Sequence, residues 1–529
     1  ENLSKNKKYI AKVINWGNSN KKPEAQIIKC IGESGKNETE INSIIYDFNL
    51  PVKVPNDVIV ETEKLDEKIS EKEINNRKDL RHLDSFTIDP DDAKDFDDAL
   101  SIEKKDGFYN IGIHIADVSH FFNNRTQINN EAEKRATSIY LVDRTIPMLP
   151  EKLSNNLCSL KPNVDRLTFS VLIKMDEKFK IISSWVGRTI IHSKKRFTYE
   201  DAQESIDNSN GLFHEKLNML NKVAKHIRKK RFDSGSFNFR SNEVKFKLDK
   251  EKKPIGVYKK VRKDTHKLVE EYMLLANKIV AEFIINHEKK HNKTFPFIYR
   301  IHEDPEQQKI SELKNYIKQY GYSINSNEKN LAVSLNDLMK KIKGKPEESS
   351  IEKFAIRSMS KAKYSTNKEK HFGLSFRHYT HFTSPIRRFP DVMVHRLISD
   401  YTNGSNPKDK SYYDIMCKHS SKMEINATKA ERESIKFKQA EYMTNFIGKE
   451  FEAVVSGITE WGMYGEIVEN HCEGLIRMSS MKDDRYEFDD QKIRIVGRNN
   501  KKIFRLGQVI RVKVTDTDIE KRTIDLVLV

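Results

Sequence analysis

The sequence lacks the features that would place it in several large protein classes. Its four cysteines, Cys30, Cys158, Cys417 and Cys472, lie far apart with no CxxC pair. Neither a zinc knuckle nor a disulfide scaffold is therefore expected, and a reducing, cytoplasmic setting is. No run of about 18 apolar residues occurs. The nearest approach, around Ile279 to Ile285, is broken by Glu282, so no membrane span is expected. The chain opens on Glu1 with no signal-like segment and reads as a fragment of a longer protein. No internal repeat is present, apart from the expectation that both ends are small β-barrels. What remains is a polar chain of 529 residues, 37% hydrophobic and 33% charged. That is too long for one core and ample for several soluble domains.

Its net charge of +17 points to a polyanionic partner. Residues 1–79 carry 14 basic and 14 acidic side chains, and residues 449–529 carry 14 and 15. The excess positive charge therefore sits in the middle, which also holds the densest aspartate cluster. A lysine-rich composition alone would be explained by solvation; a basic domain built around an acidic knot is not. Residues 1–80 read as short strands and turns, with a charged linker or exposed helix over 61–79. Residues 109–115 alternate as a strand, and 214–232, 264–290 and the run from Pro390 onward have helical spacing. The lysine-rich stretch 324–350 reads as a surface excursion. After Gly448 short strands with glycine turns return.

Between Asp89 and Asp98 six of ten residues are aspartate. Crowded carboxylates raise one another's pKa unless a cation neutralises them. An all-oxygen donor set favours Mg²⁺ or Mn²⁺. If residues 95–97 are extended, Asp95 and Asp97 share one face and Phe96 anchors the other. An EF-hand is excluded, because Lys94 and Leu100 stand where its glycine and glutamate belong. The plainer alternative is a solvated acidic turn.

Arg387 and Arg388 lie between Pro385 and Pro390, which stiffen the turn. Pro390 suits the first residue of a helix, so both arginines sit at a helix N-terminus, where they can clamp a phosphate. An ion pair with Asp391 is the alternative. In the helix after Asp264, Leu268, Tyr272, Leu275 and Ile279 form one stripe. Glu271 lies near that stripe, where it could accept a ribose 2′-hydroxyl and separate RNA from DNA; Glu270 points away. A pair with Lys267 is the alternative for Glu271.

Taken together, these residues resemble the RNB domain of ribonuclease II and ribonuclease R. Asp89, Asp95, Asp97 and Asp98 have its aspartate spacing. Four further blocks follow in its order: 114–120, 146–150 with 157–160, 299–303 and 381–388. One stretch departs from it, Asn238 standing where an aspartate is common. The resemblance implies a Mg²⁺-dependent (or Mn²⁺-dependent) hydrolytic 3′→5′ exoribonuclease that releases nucleoside 5′-monophosphates by two-metal catalysis. It assigns Arg387 to the scissile phosphate, with Arg388 as companion, and Tyr140 to stacking on the terminal bases, where it helps fix the end point.

Residues 449–529 resemble an S1-type barrel. Trp461 and Tyr464 match its aromatic strand, Arg477 the next strand, and Asp518 and Arg522 the polar pair of its last hairpin. Trp461 and Tyr464, three apart, cannot share a face without a bulge or turn. Residues 1–80 resemble the latter part of a cold-shock-type barrel plus a linker. The expected fold is thus α+β and multidomain, a mixed α/β catalytic domain over 81–448 flanked by OB-type barrels. The expected partner is single-stranded RNA, including the 3′ overhang of structured RNA, bound by a monomer. The competing class is a catalytically silent RNA-binding protein, which has no need of four aspartates and a rigid arginine turn.

Overall fold

The computed structural model describes residues 3–18, 22–208, 211–237, 244–259, 261–325, 331–345, 347–405, 407–490 and 492–529. Asn238 lies outside them. At the N-terminus β1 (Lys7–Asn15) and β2 (Glu24–Glu33) form an antiparallel hairpin, followed by helix α1 (Asn37–Asp47). The expectation of strands and turns there missed this helix, whose Ile41, Ile44 and Ile45 are buried at helical spacing. Helices α2 (Asn56–Glu63) and α3 (Glu71–Asn75) lead into the central sheet.

That sheet contains β3 (Lys78–Asp79), β4 (Ser85–Asp89), β5 (Asp98–Lys105) and β6 (Phe108–Ala116), then β9 (Asp165–Met175) and β10 (Ile181–Thr198). The order is β3-β10-β4-β5-β6-β9, and β9 pairs with β10 as well, so the 18-residue β10 closes the sheet on itself. Helix α4 (Gln127–Arg135) and the short hairpin of β7 (Ile139–Tyr140) and β8 (Thr145–Ile146) are inserted between β6 and β9.

The expected alternation in β6 is present, but both faces are covered. Ile111, Ile113 and Ile115 point into the main core. On the other face His114 bonds Ser101 at 2.9 Å and Ser170 at 2.8 Å. Gly112 is required beside them, because a Cβ there would strike Ser101 and His114.

Helices α5 (Tyr199–Asp207), α6 (His214–Asp233) and α7 (Asp264–His291) pack against this sheet, with the hairpin β11 (Val244–Leu248) and β12 (Pro254–Lys259) between the last two. After β13 (Tyr299–Ile301) come α8 (Gln307–Lys318), α9 (Leu331–Ile342) and α10 (Glu348–Ser358), then β14 (Lys363–Ser365), which pairs with β13. The stretch expected as a surface excursion therefore contains α9, and its Leu331, Leu335, Leu338 and Ile342 are buried. Its lysines occupy one face, and the i, i+4, i+7 apolar positions occupy the other.

Helix α11 (Phe389–Asn403) and the 34-residue α12 (Lys410–Met443) complete the central domain. The C-terminal barrel closes as β15 (Glu450–Thr459), β16 (Gly462–Ile467), β17 (Glu473–Arg477), β22 (Thr523–Leu528) and β21 (Val509–Asp518). A three-stranded sheet, β18 (Tyr486–Asp489), β19 (Arg494–Gly497) and β20 (Ile503–Arg505), is inserted within it. The barrel interior shares one apolar cluster with α8–α10 and the end of α12. No described helix is long and apolar enough to cross a membrane.

Candidate active site

The acidic loop runs from the end of β4 to the start of β5, so Asp89 closes one strand and Asp98 opens the next. Three contacts hold it. Arg196 on β10 donates to the carbonyls of Pro90 and Asp91 at 2.5 and 2.9 Å. The Ser159 hydroxyl accepts the Phe96 N–H at 3.1 Å and donates to the Lys94 carbonyl at 2.7 Å. The Phe96 ring is buried in the core, the anchoring role its place between two aspartates suggested.

Asp97 joins this loop to the arginine turn, 289 residues away in the chain. Its Oδ1 accepts the Ile386 N–H at 2.9 Å, and its Oδ2 lies 3.4 Å from Arg387 Nε. All four carboxyls are pushed above the usual carboxylate range, Asp89 to about 7 and Asp98 to about 8. Burial is the main cause in each, and neighbouring aspartates raise Asp89, Asp95, Asp97 and Asp98 further. Arg387 opposes the shift on Asp95, Asp97 and Asp98.

A site where protonation relieves carboxylate repulsion is one where a hard cation would do the same. The donors are all oxygen, and Asp89 Oδ2 is buried without a well-formed hydrogen bond. Among the described residues no three such side chains form a closed set of ligands. The residues fit a divalent cation in chemistry and charge, and binding would have to draw them together.

The arginine turn separates its two arginines. Arg387 keeps 42% of its side chain exposed and donates from Nη2 to Ser384 Oγ at 2.9 Å. Arg388 is turned inward, with Nη2 2.7 Å from Asp391 Oδ1. The same oxygen accepts the Ser384 N–H at 2.8 Å. Burial works against the Arg388 charge, but Asp391 together with Tyr364 and Tyr379 outweighs it and holds the guanidinium above its ordinary pKa. The Asp391 pairing weighed for both arginines thus describes Arg388, and only Arg387 is open to a phosphate. Pro390 is the second residue of α11, not the first; Arg388 is the extended N-cap.

Tyr140 lies on the same side. Burial, aided by Asp95 and Asp97 and opposed by Arg387, pushes its hydroxyl up to about 12, while 41% of the residue remains exposed. The strand carrying it is rooted in the arginine turn, since Thr137 pairs with Arg388 and the Ser138 N–H donates to the Arg387 carbonyl at 3.0 Å.

Glu271 is placed otherwise than expected. It is 1% exposed and held by Arg231 at 2.5 and 3.1 Å and by Arg228 at 3.1 Å. Its carboxylate is saturated by two guanidinium groups and is not free for a ribose. Lys267 pairs with Asp264 instead. Glu270 is partly exposed and pairs with Arg262 and Arg228.

In the C-terminal barrel Trp461 sits in the turn before β16, 70% exposed. Gly462 has φ +151°, and a Cβ there would strike the Ile476 carbonyl. The turn, with a register shift on the facing β15 opposite Tyr464, lets Trp461 and Tyr464 escape strict alternation. Arg477 stands opposite Gly462, exposed, with Nη2 3.3 Å from Asp525. Asp518 is occupied by Lys521. Arg522, expected to face RNA, is instead 11% exposed and bound to Glu433 on α12 at 3.0 Å and Asp47 on α1 at 3.2 Å. Opposite charges on two other elements recruited it, and no local pattern signalled them.

Sequence reading also missed Asp391 as the anchor of the turn, Arg196 as the clamp of the acidic loop, and Asp143, whose carboxylate is fully buried. Asp391 was visible only as a possible partner; the other two depend on contacts from distant segments.

Family models match as an RNB domain over residues 77–404, an S1 RNA binding domain over 444–528 and a cold shock domain over 1–55. The chain is 37% identical to Ribonuclease R of Thermotoga maritima, over 99% of this chain and 75% of that protein. It superposes on RNase R of Mycoplasma genitalium, solved with ribose methylated single-stranded RNA, at TM-score 0.93 and 26% identity, covering all of this chain and 83% of the other. Yeast Ssd1, a pseudonuclease, shares the fold at TM-score 0.72 and 20% identity, over 93% of this chain and 62% of that one.

Proposed function

The chain belongs to the RNB family and, within it, to the ribonuclease R group of 3′→5′ exoribonucleases, and from that premise we propose how this protein degrades RNA. Asp89, Asp95, Asp97 and Asp98 would hold two Mg²⁺ or Mn²⁺ ions, which when bound neutralise the phosphate and supply an activated water. Arg387, fixed by Asp97 and Ser384 and open on its outer side, receives the scissile phosphate and stabilises the charge that develops on it. Arg388 acts through its inward guanidinium, holding the turn against Asp391. Tyr140 stacks on the terminal bases, which suits an enzyme that accepts any base because each has a π face.

The substrate is single-stranded RNA, including the 3′ overhang of a structured one, threaded towards the site by the basic central domain. The exposed Trp461 and Arg477, with the half-buried Tyr464, offer it a patch on the C-terminal barrel. The units are residues 1–80, 81–448 and 449–529, and the chain acts as a monomer. The observation that carries this reading is Asp97, which binds the acidic loop to the arginine turn through a backbone N–H and a guanidinium.

Because a pseudonuclease shares the fold, the test must be chemical. Incubation of 5′-labelled single-stranded RNA with Mg²⁺ should give a ladder shortening from the 3′ end and nucleoside 5′-monophosphates. RNA that is bound and left intact would identify a silent binding protein instead.

A further inference from the structure

Tyr140 stands on a hairpin with only two ladder pairs, Ile139 with Ile146 and Tyr140 with Thr145. So short a ribbon does not hold its own geometry in water, and its placement must come from what it is tied to. One end is the arginine turn described above. The tip, 141–144, is closed by the Leu141 N–H donating to the Arg144 carbonyl at 2.9 Å.

That tip is fastened by a buried carboxylate. Asp143 has no exposed side-chain surface. Its Oδ2 accepts from Asn37 Nδ2 of α1 at 3.0 Å and from Arg144 Nη2 at 2.8 Å, and it lies 3.4 Å from Lys252 Nζ in the β11–β12 turn. Arg144 in turn reaches Glu38 of α1 at 2.6 and 3.0 Å. The Lys252 carbonyl is held by the buried Lys438 of α12 at 2.6 Å. Asp143 therefore adds a buried polar tie among the hairpin tip, α1 and the β11–β12 turn to the apolar cluster in which Ile139, Leu141 and Ile146 of the hairpin pack with α1 and α12, and none of its contacts serves the catalytic carboxylates.

We infer that Asp143 is a positioning residue that fixes Tyr140 against the arginine turn and so sets the length at which degradation stops. This rests on the stacking role proposed for Tyr140. A stacking group must be held to a fraction of an ångström to discriminate one bound length from another. A buried charge shared among three segments supplies that rigidity. The partners on α1 mean that the N-terminal unit takes part in defining the end point without touching the terminal nucleotides.

The test compares limit products of a 5′-labelled 20-nucleotide RNA for the wild type, Asp143→Asn, Tyr140→Ala and the double variant, with thermal melting as the check on folding. Asp143→Asn should shift the limit product by at least one nucleotide in the same direction as Tyr140→Ala. KM for a five-nucleotide RNA should rise about fivefold or more, as part of a stack is lost, while kcat on the 20-mer stays within about twofold. The double variant should match Tyr140→Ala, because both act through one side chain. If Tyr140→Ala shifts the product and Asp143→Asn leaves it at the wild-type length, or if the two shifts add, the positioning role is wrong and the stacking role stands. If Tyr140→Ala itself changes nothing, both fall. Should Asp143→Asn melt early, Arg144→Gln carries the same expectation at smaller size, and a wild-type limit product there overturns the inference.

Discussion

Asp97 and Glu271 are both buried carboxylates beside arginines, yet they do different work. Asp97 faces one guanidinium that remains 42% exposed, whereas Glu271 is enclosed by two. Asp97→Asn keeps the hydrogen bond to Ile386 but removes a charge from the proposed cation site. Turnover should fall to near background with RNA affinity within a few fold, because binding comes from the distributed basic surface. A labelled-RNA time course and an anisotropy titration on the same preparation check this, and near wild-type hydrolysis would refute it. Glu271→Ala strands two arginines in the interior, and breaking a buried pair costs about 3–5 kcal/mol. Its expected signature is a lower urea midpoint with the RNA-over-DNA rate ratio unchanged. A ratio that narrows at unchanged stability would restore the ribose contact.

At the scale of single elements, β6 shows how a strand can look one-sided in sequence and be enclosed on both sides. Its second face carries His114, whose pKa burial lowers from 6.5 to about 3. A base with a depressed pKa binds fewer protons in the folded state than in the unfolded one between those values. Stability therefore falls as pH drops below about 6.5 and levels off near 3, at up to ~1.4 kcal/mol per pH unit for this one histidine. Urea midpoints at pH 7.5, 6 and 5 should fall less steeply for His114→Asn than for the wild type. Equal slopes would mean that His114 is charged in the fold. The arginine turn shows the converse. Its prolines and the helix after it were legible, but which arginine faces inward depended on Asp391, one turn into α11.

Across the whole molecule the C-terminal barrel is joined to the rest by a shared apolar cluster and by Arg522. Removing the barrel would uncover that cluster, so point variants are the better probe. Trp461→Ala should weaken single-stranded RNA binding by roughly 1–3 kcal/mol while leaving the salt slope alone, because stacking releases no counterions. Arg522→Ala should weaken binding of a 20-nucleotide RNA and spare a five-nucleotide one, since it loosens the barrel without touching the catalytic centre. Fluorescence anisotropy at several salt concentrations separates the two. An equal loss for both lengths with Arg522→Ala would show that it meets the RNA directly.

The family, the order of the domains and the all-oxygen donor set of the acidic loop were determined by the sequence itself. Aspartate spacing, proline placement and apolar periodicity are local, and local pattern dictates local backbone and the donors it presents. Partnership was decided by the tertiary structure. Arg387 and Arg388 are neighbours with the same side chain, and only the position of Asp391 turned one inward. Glu271 has an acceptor for a ribose hydroxyl and Arg522 a charge for a phosphate, yet each met opposite charges from another element first. Asp143 drew no notice as one residue of a turn. Its meaning appears only when α1, the β11–β12 turn and the tyrosine hairpin are packed together, because a buried charge is stable only where partners are supplied, and Asn37 and Lys252 come from distant segments.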